Sequence, residues 1–227
     1  MAKMVGLSRN LKLQWLNKVV ELILEDLKEE EIKEQLNEYL SFEIESPTNN
    51  RKTREILMKI WVYDNDYSDK IRATALELIR NYPEYSMPIH WCMMLAAYPV
   101  FADMCKLIGK ITEFQDEITL TQLKQKLFEE WGERTTLYHS IDKLIATLKA
   151  MEALTCDKHR ISNSKVVSFM VHTMMLVDDG GYYTFTEVNS SKYLYPFEYR
   201  MEKEILLDDG KFAINNFGGE MSISLND

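Results

Sequence analysis

Apolar side chains recur at steps of three and four through most of the first 180 positions, the spacing of helices that bury one face. After Ser8 the stripe is Leu11, Trp15, Val19, Leu22, Ile23 and Leu27, with a continuation through Ile32, Leu36 and Leu40. This predicts a long N-terminal helix capped at Ser8. Ser46-Pro47-Thr48-Asn49-Asn50 reads as a turn leading into a helix that carries Ile56, Leu57, Ile60 and Trp61. Ser68 opens another helix through Ile71, Ala75, Leu78 and Ile79, and Tyr82-Pro83-Glu84-Tyr85 closes it. Ser86 followed by Pro88 starts a segment around Trp91, Met94 and Leu95 that is apolar nearly all round, which predicts a central buried helix. Pro99 should kink or split it before Phe101–Ile111, because proline removes an amide donor and clashes with the preceding turn.

The stretch Ile118–Ser162 has a tighter organisation. Thr119 and Thr121 can cap a helix with Leu120, Leu123, Leu127 and Phe128 on its apolar side, ending near Trp131. Gly132 breaks it. A second helix opens at Thr135, with Leu137, Ile141, Leu144, Leu148 and Met151 at spacings of four, three, four and three. Ala153-Leu154-Thr155 and Arg160-Ile161-Ser162 then flank a polar tip, Cys156-Asp157-Lys158-His159, the pattern of a short hairpin. Helix, turn, helix and hairpin in this order present the second helix to a duplex groove, with the hairpin as a wing. Beyond it the pattern changes. Val166–Val177 fits a strand or short helix, and Asp178-Asp179-Gly180-Gly181 a turn. Tyr182–Val188 and Tyr193–Tyr199 have strand bias, the second interrupted by Pro196. Ile205–Leu207 and Lys211–Ile214 around Asp208-Asp209-Gly210 read as a hairpin, and Ser222–Leu225 as a last strand. The fold expected is therefore mainly α: a helical bundle over 1–105, a winged helix-turn-helix over 106–181, and a β-rich tail over 182–227.

Composition supports packed cores. Hydrophobic residues make up 46 % of the 227 positions, and eight Gly and five Pro leave little room for long loops. No apolar run approaches the ~20 residues of a membrane span. Trp91–Ala102 is too short, and the first residues lack a signal-peptide core and cleavage site. Three widely spaced Cys fit a reducing cytosol better than a disulfide framework. The net charge of −9 argues against a protein that coats nucleic acid without specificity, but the charge is unevenly spread. Residues 1–20 hold four basic side chains and no acidic one, while residues 21–45 hold ten acidic and two basic. Residues 106–169 are near neutral, with ten basic and nine acidic.

On the second helix of the pair, the side opposite the apolar stripe offers Arg134, Thr136, Tyr138, His139, Ser140 and Lys143. Arg, Ser and Thr contact base edges or phosphates. Lys158 and Arg160 at the tip are suited to a phosphate backbone. Glu133 and Asp142 oppose such contacts. Asn49, Asn50, Arg51, Lys52 and Arg54 form a second surface for an anionic ligand at a helix start. Cys156-x-x-His159 and His90-x-Cys92 have ligand-like spacing, but a structural zinc site needs four converging ligands, so no metal and no cofactor is expected. Catalytic motifs are missing. Asp178, Asp179 and Glu187 are the one carboxylate set that suggests a nuclease, and Asp-Asp-Gly-Gly is more simply a turn. Two functions follow. One is a non-enzymatic binder of double-stranded DNA. The other is an adaptor in a larger complex, using the winged helix and the acidic 21–45 helix to hold a protein partner.

Residues 118–162 resemble a winged-helix domain. The whole chain, helical first and winged-helix-like after, is similar to the BrxA-type proteins of bacterial BREX phage-defence systems. The stretch Ser46-Pro47-Thr48-Asn49-Asn50-Arg51-Lys52-Thr53-Arg54 before a helix carries part of that similarity. The resemblance implies a non-enzymatic, DNA-associated accessory protein in a defence operon, and the cysteine usage fits a cytoplasmic location. The tail from Tyr182 departs from the pattern.

Overall fold

The structure is a computed structural model and describes residues 5–155, 157–217 and 220–226. The long N-terminal stripe folds as two helices, α1 (Leu13–Leu24) and α2 (Glu29–Ser41), and not as one. Asp26 sits between them at φ 61°, a left-handed conformation that ends the first helix. Upstream of α1 the chain is an irregular arm, so the helix expected from Ser8 begins five residues later. The arm's Leu7 and Leu11 are nonetheless fully buried. α3 (Pro47–Trp61) is capped by the Ser46 hydroxyl and takes Pro47 into its first turn, where no amide is needed. What read as a turn at Pro47–Asn50 is thus already helix. α4 (Ser68–Asn81) follows, then a single 3-10 turn at Pro83–Tyr85.

α5 (Ser86–Ala97) is the centre of the molecule, with every residue from Pro88 to Ala97 buried. Pro99 does split the apolar run. It is the first residue of α6 (Pro99–Ile111), and the two axes meet at 117°. Among the described residues, no single helix is long and apolar enough to cross a membrane. α7 (Leu120–Trp131) and α8 (Thr135–Ala150) come next, separated by Gly132 at φ 77°. α9 (Ser164–Asp178) resolves the ambiguous Val166–Val177 segment as helix and packs on α4 and α5.

Among the described residues the protein is mainly helical, 64 % in eleven helices, with a small sheet part at the C-terminal end. That end contains less strand than its composition suggests. Short β1 (His159–Arg160) pairs in parallel with β3 (Phe197–Glu198). A second sheet has the order β2 (Tyr183–Thr184), β5 (Glu220–Leu225), β4 (Phe212–Phe217), all antiparallel neighbours. Between these lie α10 (Phe185–Asn189), a 3-10 turn at Lys192–Leu194 and α11 (Lys203–Asp209). Two expected strands are therefore largely helical. At 185–189 a capping box between Thr184 and Glu187 outweighs the strand bias of Phe, Thr and Val. At 203–209 the helix ends on Gly210 in the left-handed region, where a hairpin turn was expected. The last strand lies where expected.

One hydrophobic cluster runs through all three sequence divisions, from Leu7 and Trp15 through Trp91 and Leu144 to Phe197 and Ile223. Trp91 marks the junction. Its ring meets Phe101, Tyr195 and Phe197 edge-on at 5.0–5.7 Å, and its indole N–H donates to the Tyr193 carbonyl at 2.9 Å.

Candidate nucleic-acid interface

α7 begins with a complete capping box. The Thr119 hydroxyl accepts from the Gln122 amide, and the Gln122 side chain accepts from the Thr119 amide. The helix buries Leu123, Leu127 and Trp131, and its far end is pinned by Trp131 Nε1 donating to Asp103 Oδ2 of α6 at 2.8 Å. Leu120, assigned to the apolar side, is instead 42 % exposed. α8 buries Leu137, Ser140, Ile141, Leu144, Thr147 and Leu148. The N-terminal arm lies over its second half: the Leu11 amide donates to the Thr147 hydroxyl at 2.9 Å, and that hydroxyl donates to the Lys143 carbonyl. The first half of α8 remains open to solvent, with Thr135, Thr136, Tyr138 and His139 exposed.

Thr136, His139 and Lys143 share one shoulder of α8, within about 60° of one another on a helical wheel. Tyr138 leaves the helix about 100° from His139, yet their rings meet edge-on at 5.6 Å. Ser140 does not belong with them. It is 3 % exposed and faces the core, because a small polar residue fits the packed seam beside Leu137 and Leu144. Arg134 occupies the N-cap position, half-buried, with its guanidinium donating to the Trp131 carbonyl. The N-cap residue Arg134 does not cap α8 with its side chain, and no acidic residue lies in the first turn, so among the described residues no side-chain cap takes up its leading amides.

The hairpin expected after α8 does not form among the described residues. Met151–Thr155 is a turn held by the Thr155 hydroxyl donating to the Glu152 and Asp157 carbonyls. Arg160 and its neighbour pair with residues 197–198, nearly forty positions away. A local wing needs a strand at 153–155, but there Ala153 is buried in the core cluster. Lys158 and Arg160 are exposed, as an interface requires. Arg160 opens onto a separate cleft of about 1000 Å³ shared with Glu198, Arg200 and Glu202, whose charges balance.

The second surface is partly occupied by internal contacts. Asn50 is buried and donates to the Asn37 carbonyl, and Arg54 pairs with Glu55. Arg51 and Lys52 remain exposed. Asn49 accepts from Arg9 at 2.8 Å, so the arm that covers Thr147 also touches the start of α3. This bridging role of residues 9–11 had no sequence signal beyond Leu11 in the apolar stripe.

The other chemistries resolve into structure. His90 and Cys92 are fully buried, and both nitrogens of His90 are taken by Trp61 and Asn17. Cys156, half of the other ligand-like pair, lies outside the described residues. Among the described residues no three His, Cys, Asp or Glu side chains converge as metal ligands. Asp178, Asp179 and Glu187 do not form a carboxylate set. Asp179 ends α9 in the left-handed region, and Glu187 belongs to the cap of α10. Asp178 receives Lys106 and Tyr193 at 2.7 Å and Tyr183 at 3.1 Å. Burial alone would raise its carboxyl, but these donors outweigh it and hold the group below the usual carboxylate range. It joins α6, α9 and the tail.

No family model matches the chain, and none of the curated proteins or solved structures compared with it is a match.

Proposed function

We propose that the protein is a non-enzymatic binder of double-stranded DNA that docks the open half of α8 on the duplex. The observation that carries this reading is the uncapped start of α8, with Thr135, Thr136 and His139 exposed on a helix whose other side is locked into the core. Free amides at a helix start suit a phosphate, and Thr136, His139 and Lys143 then face the groove or the backbone beside it. Lys158 and Arg160 add backbone contacts from the segment after α8. In place of a hairpin wing, this segment is an irregular strap tied to β3. Ser140 takes no part. The similarity of the chain's layout to BrxA-type proteins supports a role as an accessory factor in a phage-defence system, and the exposed Arg51 and Lys52 offer a further contact to the same polyanion.

Replacing Lys143 by Glu tests this docking. The variant should bind a labelled duplex about tenfold more weakly at low salt, with an unchanged circular dichroism spectrum. Equal affinity of the two proteins would remove α8 from the interface. The second reading is an adaptor that holds a protein through α2. Its acidic residues Glu34 and Glu38 are exposed, but Lys33 already pairs with Glu29 and Glu30 on that helix, which weakens the face as a site for a basic partner.

A further inference from the structure

α7 and α8 enclose a second feature, on the shoulder of α8 next to the one that carries His139 and Lys143, with the Tyr138 ring edge-on to His139 at 5.6 Å. It is a shallow groove of about 800 Å³ lined by Leu120, Lys124, Phe128, Glu129, Glu133 and Tyr138. Its floor is apolar and aromatic. Phe128 and Tyr138 stack with centroids 6.4 Å apart at 22°, and Leu120 and Tyr138 leave 42 % and 46 % of their surface in solvent. The cation in its wall is already used. Lys124 lies 3.6 Å over the Tyr138 ring and 2.8 Å from Asp142, with its side chain only 13 % exposed. Glu133 and Glu129 stand exposed at the edge, and Glu129 meets the solvent-exposed Lys126 and accepts a long hydrogen bond of 3.4 Å from Gln125, pairings of little energetic weight. An apolar floor with anionic edges and a neutralised cation repels a phosphate backbone and complements the opposite charge.

We propose that this groove docks a basic segment of a partner protein, inserting an apolar or aromatic anchor over Phe128 and Tyr138 while its Lys or Arg side chains meet Glu129 and Glu133. Large aromatic anchors dominate contacts of this size. The groove adjoins the duplex-facing shoulder, since the Tyr138 ring meets His139 edge-on at 5.6 Å, so the two readings are distinguished by the sign of the charge each surface recruits.

The probe is a short amphipathic peptide with Arg and Leu at helical spacing, labelled with a fluorophore. Its controls are the same peptide with Glu for Arg, and oligolysine. The Arg/Leu peptide should bind the full chain in the micromolar range, and both controls about tenfold or more weakly. The double variant Glu129→Gln and Glu133→Gln, altered only at exposed positions, should lose the peptide while binding the duplex no more weakly. Tyr138→Ala should also lose it, and Lys143→Glu should not. Equal binding of the Glu-bearing peptide, or unchanged affinity in the double variant, overturns the proposal. So does a dimer of the full chain that Tyr138→Ala dissolves in sedimentation, since a second copy then fills the groove.

Discussion

His90 is a buried imidazole with both nitrogens committed. Trp61 Nε1 donates to Nδ1 at 3.1 Å, so the remaining proton sits on Nε2 and is donated to Asn17 Oδ1 at 2.8 Å. Burial lowers its pKa to about 3, against the unfolded value of 6.5. The neutral form is the folded form, so its contribution is complete above pH 6.5 and is lost as the pH falls towards 3. The slope reaches about 1.4 kcal/mol per pH unit, because the unfolded chain takes up a proton that the fold excludes. In urea unfolding, the stability gap between the native protein and His90→Gln should narrow between pH 7 and pH 4.5, as roughly this slope dictates. A constant gap would mean that His90 protonates without unfolding its site. The sequence marks His90 only as one end of a weak ligand pair. Its actual role depends on Trp61 and Asn17, 29 and 73 positions away, and no local pattern carries that.

At the scale of elements, α6 and the 3-10 turn at Lys192–Leu194 approach so closely that Gly109 has no room for a side chain. A Cβ there would lie 2.4 Å from the Lys192 carbonyl oxygen and 2.8 Å from its Cα. Both neighbours are backbone, which cannot step aside as a side-chain tip can. Gly109→Ala should therefore destabilise by about 1–3 kcal/mol through overpacking, despite alanine's better helix propensity. A thermal melt reads this as a midpoint lowered by roughly 2–4 °C per kcal/mol. A midpoint at or above that of the native protein would show that the turn is not seated on α6. Elements with local signals were legible in the sequence. The split at Pro99, the Thr119 cap and the break at Gly132 each fix a boundary within a few residues, while Ser46–Asn50 announced a helix but read as a turn where Pro47 already begins it. Elements set by distant partners were not. The interruption of α1 and α2 rests on a left-handed aspartate where glycine is the usual marker, and β1 is a strand only because Phe197 and Glu198 lie beside it. Ser140 was misplaced for a related reason: its polarity suggests solvent, while the seam of α8 decides burial.

For the whole molecule, the central difficulty of a duplex-binding reading is its charge of −9. The distribution resolves it. The acidic excess lies in residues 21–45, with ten acidic and two basic side chains, and in residues 178–227, with ten acidic and four basic, whereas the segment 106–169 that carries Thr136, His139 and Lys143 is near neutral. The protein should therefore touch few phosphates and bind DNA by orientation and a limited set of contacts, not by coating it. Fluorescence anisotropy of a labelled duplex of about 25 base pairs, long enough for two helical turns, measures this directly when repeated over a range of salt concentrations. The account predicts micromolar or tighter binding at low salt, weakened by added salt with a log–log slope of about −2.7 to −3.6, the value for three or four neutralised phosphates. No binding at low salt would contradict it, and the α7–α8 pair would then be a protein-contact module alone.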